Sequence, residues 1–303
     1  MPGTHETKPR SEHFRVQAQD HFELAATCFA AGRETESHPI ILICPATGVK
    51  RRYYARYAEF LAQQGFTVIT FDYRGVGDSR PATLNKFRAF MHEWGEKDID
   101  AMIGWIEAHY PGRQIFGVVH SVGGQVLGLA KRARHLDAVV MIGCQSGYWR
   151  LWPFPLNYGI LILWYVLIPI LTTLLSYFPS RLFGMGENLP AGVAREWAAW
   201  GRQPTYVLSK EHPKRYFAEI RAPILAISFS DDGFAPKRAA EEILRFYPNA
   251  PNEHRFIRPR DLGVKSIGHF GFFRDAFRES LWTQTVEWLK QQPAAQTVKQ
   301  RLS

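Results

Sequence analysis

Three short stretches carry side chains from which a reaction could be built. GVVHSVGGQVLGLA places Ser121 where a run of β-branched residues ends and a helical segment begins, with Gly123 and Gly124 just after it. ILAISFSDDGFAP closes a second apolar run on two adjacent carboxylates, Asp231 and Asp232, and GVKSIGHFGFF sets His269 in a glycine-rich loop ahead of the last helical segment. A serine hydroxyl is a weak nucleophile until a base takes its proton. A sharp strand-to-helix turn helps, because it lifts the hydroxyl clear of a sheet and aims the next backbone N–H groups at a developing oxyanion. Ser121 could equally be the N-cap of the helix that follows, a common task for serine. Taken singly, the carboxylates fit capping or surface roles, and His269 fits an ordinary loop.

Only an ordered set of strands and helices could bring these stretches together. Residues 13–30 read as a strand pair reversing near Asp20. PIILICP at 39–45 and GFTVITFDYRG are short runs suited to strands buried on both faces. Residues 52–64 and 97–110 carry apolar groups at helical spacing, with Ile99, Met102, Ile103 and Ile106 on one side of the second. QIFGVV starts another strand, a helix follows at 124–134, and DAVVMIG is a strand again. After an apolar, aromatic block the alternation resumes with APILAISFS, a helix near 237–246, HRFIRP and a last helix at 277–290. Alternation of this kind implies an α/β fold, with a mainly parallel central sheet and helices on both faces.

With those elements placed, His120-Ser121-Val122-Gly123-Gly124 resembles the nucleophile elbow of the α/β-hydrolase superfamily. That family usually has Gly two residues before the serine, where this chain has Val119, whose branched side chain must fit against the crossing helix. The resemblance implies an order of nucleophile, acid, base. Asp232, four residues before Pro236, is then the acid, with Asp231 as the alternative, and His269 is the base. His120, adjacent to the serine on a turn, reads as a packing residue. CPATGVKRRYYARYAEFLAQQGF stands where the family carries His-Gly and an oxyanion loop, so the resemblance assigns the oxyanion donors to the N–H of Val122 and that of Thr47 or Ala46; a plain glycine turn is the other reading. FDYRGVGDSRP resembles a structural Asp-x-Arg-Gly-x-Gly-x-Ser turn with a buried Asp–Arg interaction. The likeness spans roughly 13–145 and 215–291 and is nearest the branch of serine-aminopeptidase-like and monoacylglycerol-lipase-like proteins.

Between these parts, residues 151–180 contain no charge, enough apolar length to cross a bilayer. A crossing would put Ser121 on one side and Asp232 with His269 on the other, so the block must leave and return on the same side, as an inserted cap does. Pro153 and Pro155 precede it, Pro169 interrupts it and Pro179 ends it, which argues against one straight helix. The expected organisation is a tail (1–12), a first core part (13–144), a helical cap (145–210), a second core part (211–291) and a tail (292–303). Leu163, Trp164 and Leu167 are the candidate substrate contacts, and the cap's apolar surface is a candidate contact for a membrane or a second copy.

The expected activity is that of a serine hydrolase, carboxylesterase-like or lipase-like, acting through an acyl-enzyme on esters or thioesters of an apolar acyl group, without a cofactor. An aminopeptidase would need acidic groups in the cap to hold an ammonium, and 145–210 offers only Glu187 and Glu196 beside five basic residues. A non-catalytic lipid-binding member of the fold is the reading from another class. The net charge of +9 comes without a basic run or basic-aromatic interleaving, so no nucleic-acid partner is expected. The histidines show no metal-ligand spacing, and no GxxxxGK[ST] or complete GxGxxG occurs. Three scattered cysteines and a polar amino terminus point to a cytoplasmic protein, with peripheral membrane contact through the cap.

Overall fold

The computed structural model describes residues 10–31, 38–208 and 216–292. The apolar runs form strands: β1 (Ser11–Gln17), β2 (Glu23–Phe29), β3 (Ile40–Cys44), β4 (Thr67–Phe71), β5 (Ile115–His120) and β6 (Ala138–Ile142), then the two-residue strands β7 (Tyr177–Phe178) and β8 (Leu189–Pro190), then β9 (Ile224–Phe229) and β10 (Asn252–Ile257). Eight of them make one sheet in the order β1-β2-β4-β3-β5-β6-β9-β10, while β7 and β8 pair separately. Within that sheet β2 is antiparallel to β1 and β4 and every other pairing is parallel, while β7 and β8 are antiparallel. Alternate residues of β3 enter different cores: Ile40, Leu42 and Cys44 on one face, Ile41 and Ile43 on the other. That is why its five-residue run is apolar throughout.

Helix Ala55–Gln63 and the carboxy-terminal helix Thr283–Lys290 cover the second face. On the first lie a helix over 91–109, begun earlier than expected through a wide turn at Trp94–Ile99, and the helix after Ser121. The helix expected at 124–134 is short: Val122–Val126 is α-helical, Ala130 is extended, and two 3-10 turns complete the segment. Gly123, Gly124 and Gly128 weaken its helical propensity. The Phe217 ring also sits where a Gly128 side chain would be, 2.1 Å from an ideal Cβ. β1 starts at Ser11, inside the stretch expected to be a tail; residues 1–9 and 293–303 of the expected tails lie outside the described residues. Within FDYRG the expected Asp–Arg pair is split. Asp72 binds Arg51, while Arg74 binds Asp98 and Asp20, each at 2.7 Å.

Between β6 and β9 the apolar block forms one continuous helix, Leu156–Leu175, and not an interrupted one. A π-turn at Leu163–Leu167 widens the backbone just before Pro169, so the missing N–H is absorbed without a break. With a mean hydropathy of 2.1 this helix could cross a membrane by length and composition. Yet β6 and β9 are paired in one sheet, from Val139↔Ile224 to Ile142↔Ile227, so both ends of the segment stay on one side. Inward it buries Trp164, Ile168 and Thr172 against helix Ala191–Gly201, with Trp164 and Trp197 rings 4.8 Å apart. Outward it leaves Leu156, Tyr158, Ile162, Tyr165, Val166, Ile170, Leu174 and Leu175 exposed.

Glu196, on helix Ala191–Gly201, grips His92 of the core through its backbone N–H and Nδ1, at 2.9 and 2.8 Å. Burial disfavours the imidazolium, but the Glu196 carboxylate outweighs it and raises the His92 pKa above 6.5. A raised folded-state pKa gives stability that is whole below 6.5 and fades as pH climbs through the raised value. The thermal midpoint of the wild type should therefore exceed that of His92→Gln in mildly acidic buffer, and the gap should close in mildly alkaline buffer. A gap independent of pH would remove the charge from this account.

Candidate active site

Ser121 sits between β5 and the helix Val122–Val126 with φ 52° and ψ −113°, a conformation a serine rarely adopts. Its side chain makes no capping hydrogen bond, which disposes of the N-cap reading. Its N–H is held by Ile142 O at 3.0 Å, which fixes the turn to the end of β6. Val119 is accommodated by Gly123: an ideal Cβ there would stand 3.2 Å from Val119 Cβ and 3.0 Å from Cys44 O.

The acidic pair divides its work. Asp232 Oδ2 accepts from His269 Nδ1 at 2.7 Å, and its Oδ1 accepts from Phe234 N and Ala235 N at 2.8 and 3.0 Å. Asp231 Oδ2 accepts from Ile267 N and Gly268 N at 2.8 and 3.1 Å, bracing the loop that carries the histidine. A carboxylate only accepts, so His269 carries its proton on Nδ1 and keeps Nε2 as its basic nitrogen. Ser121, Asp232 and His269 are 5%, 4% and 7% exposed, so the set is almost dry. Ser121 and His269 line one cavity, though no hydrogen bond joins them among the described residues. In unliganded sites such bonds commonly tighten only when substrate arrives.

Of the two expected donors in the 45–48 turn, Ala46 is already engaged: its N–H donates to Tyr54 Oη at 2.8 Å. The N–H of Thr47 donates to nothing among the described residues, and Val122 N–H, first in its helix, lacks an intrahelical acceptor. No sequence motif marks Tyr54. Its hydroxyl lies 2.9 Å from His120 Nδ1, and His120 Nε2 is 3.0 Å from His269 O. A carbonyl only accepts, so Nε2 bears the hydrogen and Nδ1 accepts from Tyr54. Complete burial, with the neighbouring His269 ring as a lesser cause, drives the His120 pKa well below 6.5, so the ring stays neutral. His120 is thus a strut between the 45–48 turn and the His269 backbone and not a base. Tyr54→Phe strands two buried groups, Ala46 N–H and His120 Nδ1, and should cost about 2 kcal/mol in urea unfolding. A cost near zero would mean that the chain is slack.

The same turn is tied to the insertion. Glu187 N donates to Gly48 O at 2.7 Å, and its carboxylate takes Lys50 Nζ at 2.5 Å and Gly77 N at 2.8 Å. Gly48, at φ 67°, could carry no side chain here, since a Cβ would fall 2.8 Å from Glu187 O.

The cavity holds about 550 Å³ of non-protein space, its open mouth included. Beyond Ser121, His269, Ala46 and Thr47, its walls are mainly apolar: Trp152, Ile160, Leu163, Trp164, Met185 and Phe234 among them. Of the three candidate substrate contacts, Leu163 and Trp164 are on the wall and Leu167 is not. The π-turn rotates the helix so that Ile168 is the residue turned inward. Two buried polar atoms, Gln145 Oε1 and Thr47 Oγ1, have no partner among the described residues and belong to residues lining the cavity.

A model of an alpha/beta hydrolase family matches residues 40–286. No curated protein matches the chain. Among solved structures, a soluble variant of monoglyceride lipase from Saccharomyces cerevisiae, in complex with a substrate analogue, is 15% identical with a TM-score of 0.69, covering 97% of this chain and 98% of that one. An esterase of Pyrococcus furiosus is 18% identical, TM-score 0.62, covering 94% and 92%. A thermostable carboxyl esterase of Bacillus coagulans is 12% identical, TM-score 0.61, covering 93% and 98%. At such identities the likeness is one of fold.

Proposed function

Because the chain belongs to the alpha/beta hydrolase family, we propose that it is a serine hydrolase of carboxylic esters or thioesters with apolar acyl groups. The observation that carries the reading is His269, paired through Nδ1 with a buried carboxylate, lining the same apolar cavity as a serine held at positive φ. As Ser121 Oγ bonds to the acyl carbon, its proton passes to His269 Nε2, and Thr47 and Val122 N–H take the oxyanion. The carbon–oxygen or carbon–sulfur bond then breaks, and Nε2 returns the proton to the leaving alcohol or thiol. Water deprotonated at Nε2 attacks the acyl-enzyme, releases the acid and restores Ser121. The sequence of steps calls on no cofactor.

Ester cleavage is favoured over aminopeptidase action because both acidic groups of the insertion are spent. Glu187 holds Lys50 and Glu196 holds His92, and neither lines the cavity. Incubation with a fluorophosphonate tests the reading: one stoichiometric adduct is expected, and a folded protein that stays unlabelled favours a non-catalytic binding member. Each buried methylene contributes about 0.8 kcal/mol, so kcat/KM should climb roughly threefold to fourfold per methylene until the cavity is filled. Fastest turnover on acetyl esters would refute the apolar-cavity assignment.

A further inference from the structure

We propose that the outer face of the insertion, centred on helix Leu156–Leu175, is a docking surface for an anionic lipid bilayer, on which the helix lies in the interfacial plane. The proposal is independent of the hydrolase reading. Only 17% of this helix's most apolar window is buried. Phe154 and Leu182, which flank it in sequence, are 80% and 82% exposed, and Leu174 on the helix is 73% exposed. A surface of this extent, rich in large apolar side chains, is uncommon on a protein that meets only water.

The charge around it selects the occupant. Arg150, Arg181, Arg195 and Arg202 are the basic residues of the described insertion; of its two acids, Glu187 holds Lys50 and Arg181 while Glu196 holds His92. Arg202, which caps helix Ala191–Gly201, lies over the Tyr165 ring, and Arg195 of that helix donates to the Thr172 and Thr173 hydroxyls, so both lie against the apolar helix. Arg150 lies over Trp149, just before the helix begins. None of these three meets a carboxylate among the described residues. A second copy docked through this face would bring only the same side chains, and the insertion's two acids are already engaged, so it offers these arginines no free carboxylate. Anionic headgroups would pair with them while the apolar side chains entered the acyl boundary, the combination that holds interfacial helices. The inner side of the helix supplies Ile160 and Leu163 to the cavity, so a bilayer on its outer side lies one helix away from Ser121.

Flotation with phosphatidylcholine vesicles, with and without phosphatidylglycerol, tests this. The full-length protein should float with the mixed vesicles and much less with phosphatidylcholine alone, and binding should weaken as salt rises. The double variant Ile170→Glu and Leu174→Glu should lower partitioning at least about tenfold. Both positions are exposed and outside the cavity, so the thermal midpoint should not move. Absence of flotation, equal flotation of the double variant, or a dimer in ultracentrifugation that the same variant dissociates would overturn the proposal.

Discussion

Ser121→Ala is expected to lower kcat/KM toward an apolar acyl ester by about a million-fold and to abolish fluorophosphonate labelling. The effect is large because the hydroxyl is the bond-forming atom in the proposed mechanism, and no neighbouring group replaces it. Cys144 lies near the turn, but burial pushes its thiol up to about 12 and its Sγ sits 3.3 Å from Val119 O. His120 is bonded at both nitrogens. The variant should fold normally, since the serine side chain holds no cap and alanine inherits the same strained φ. Persisting turnover or labelling in a folded Ser121→Ala protein would show that the reactive group lies elsewhere.

Asp232→Asn should cost about 10⁴-fold in kcat, and Asp231→Asn only several-fold. An asparagine at 232 can keep its carbonyl on Phe234 N and Ala235 N, so the turn survives, but its NH2 then faces His269 Nδ1. The ring must accept there and carry its hydrogen on Nε2, the nitrogen needed as base. An asparagine at 231 still offers one carbonyl oxygen to Ile267 N and Gly268 N, so the histidine loop is loosened and the tautomer kept. Rates and thermal midpoints of both variants check this, and the reverse ranking would move the acid to Asp231.

How much of this was legible depended on whether the cause was local. The five-residue and six-residue apolar runs became buried strands because β-branched residues suit a sheet covered on both faces, as in β3, β5 and β6. The turn around Ser121 was readable because its glycines are adjacent in the chain. The Tyr54–His120 contact spans 66 residues and leaves no mark in either neighbourhood. The Ala46 N–H is spent on the Tyr54 hydroxyl, a bond that no residue pattern marks, so the choice between Ala46 and Thr47 had to wait for packing. Leu167 missed the cavity for another reason. Helical spacing assumes a constant turn, and the π-turn changes the phase between Trp164 and Ile168. The FDYRG segment kept its shape but exchanged partners, because Arg51 and Asp98, distant in sequence, lie closer to its charges.

The grip of Glu187 on Gly48, Lys50 and Gly77 bears on how such a protein can change over generations. An insertion is often treated as a detachable accessory, open to deletion or exchange between relatives. Here the 45–48 turn, the proposed oxyanion loop, leans on it, so on that reading a shortened descendant would inherit a nucleophile without its matching anion cradle. Swapping this segment for another would succeed only where the newcomer brings its own brace for the residues after β3.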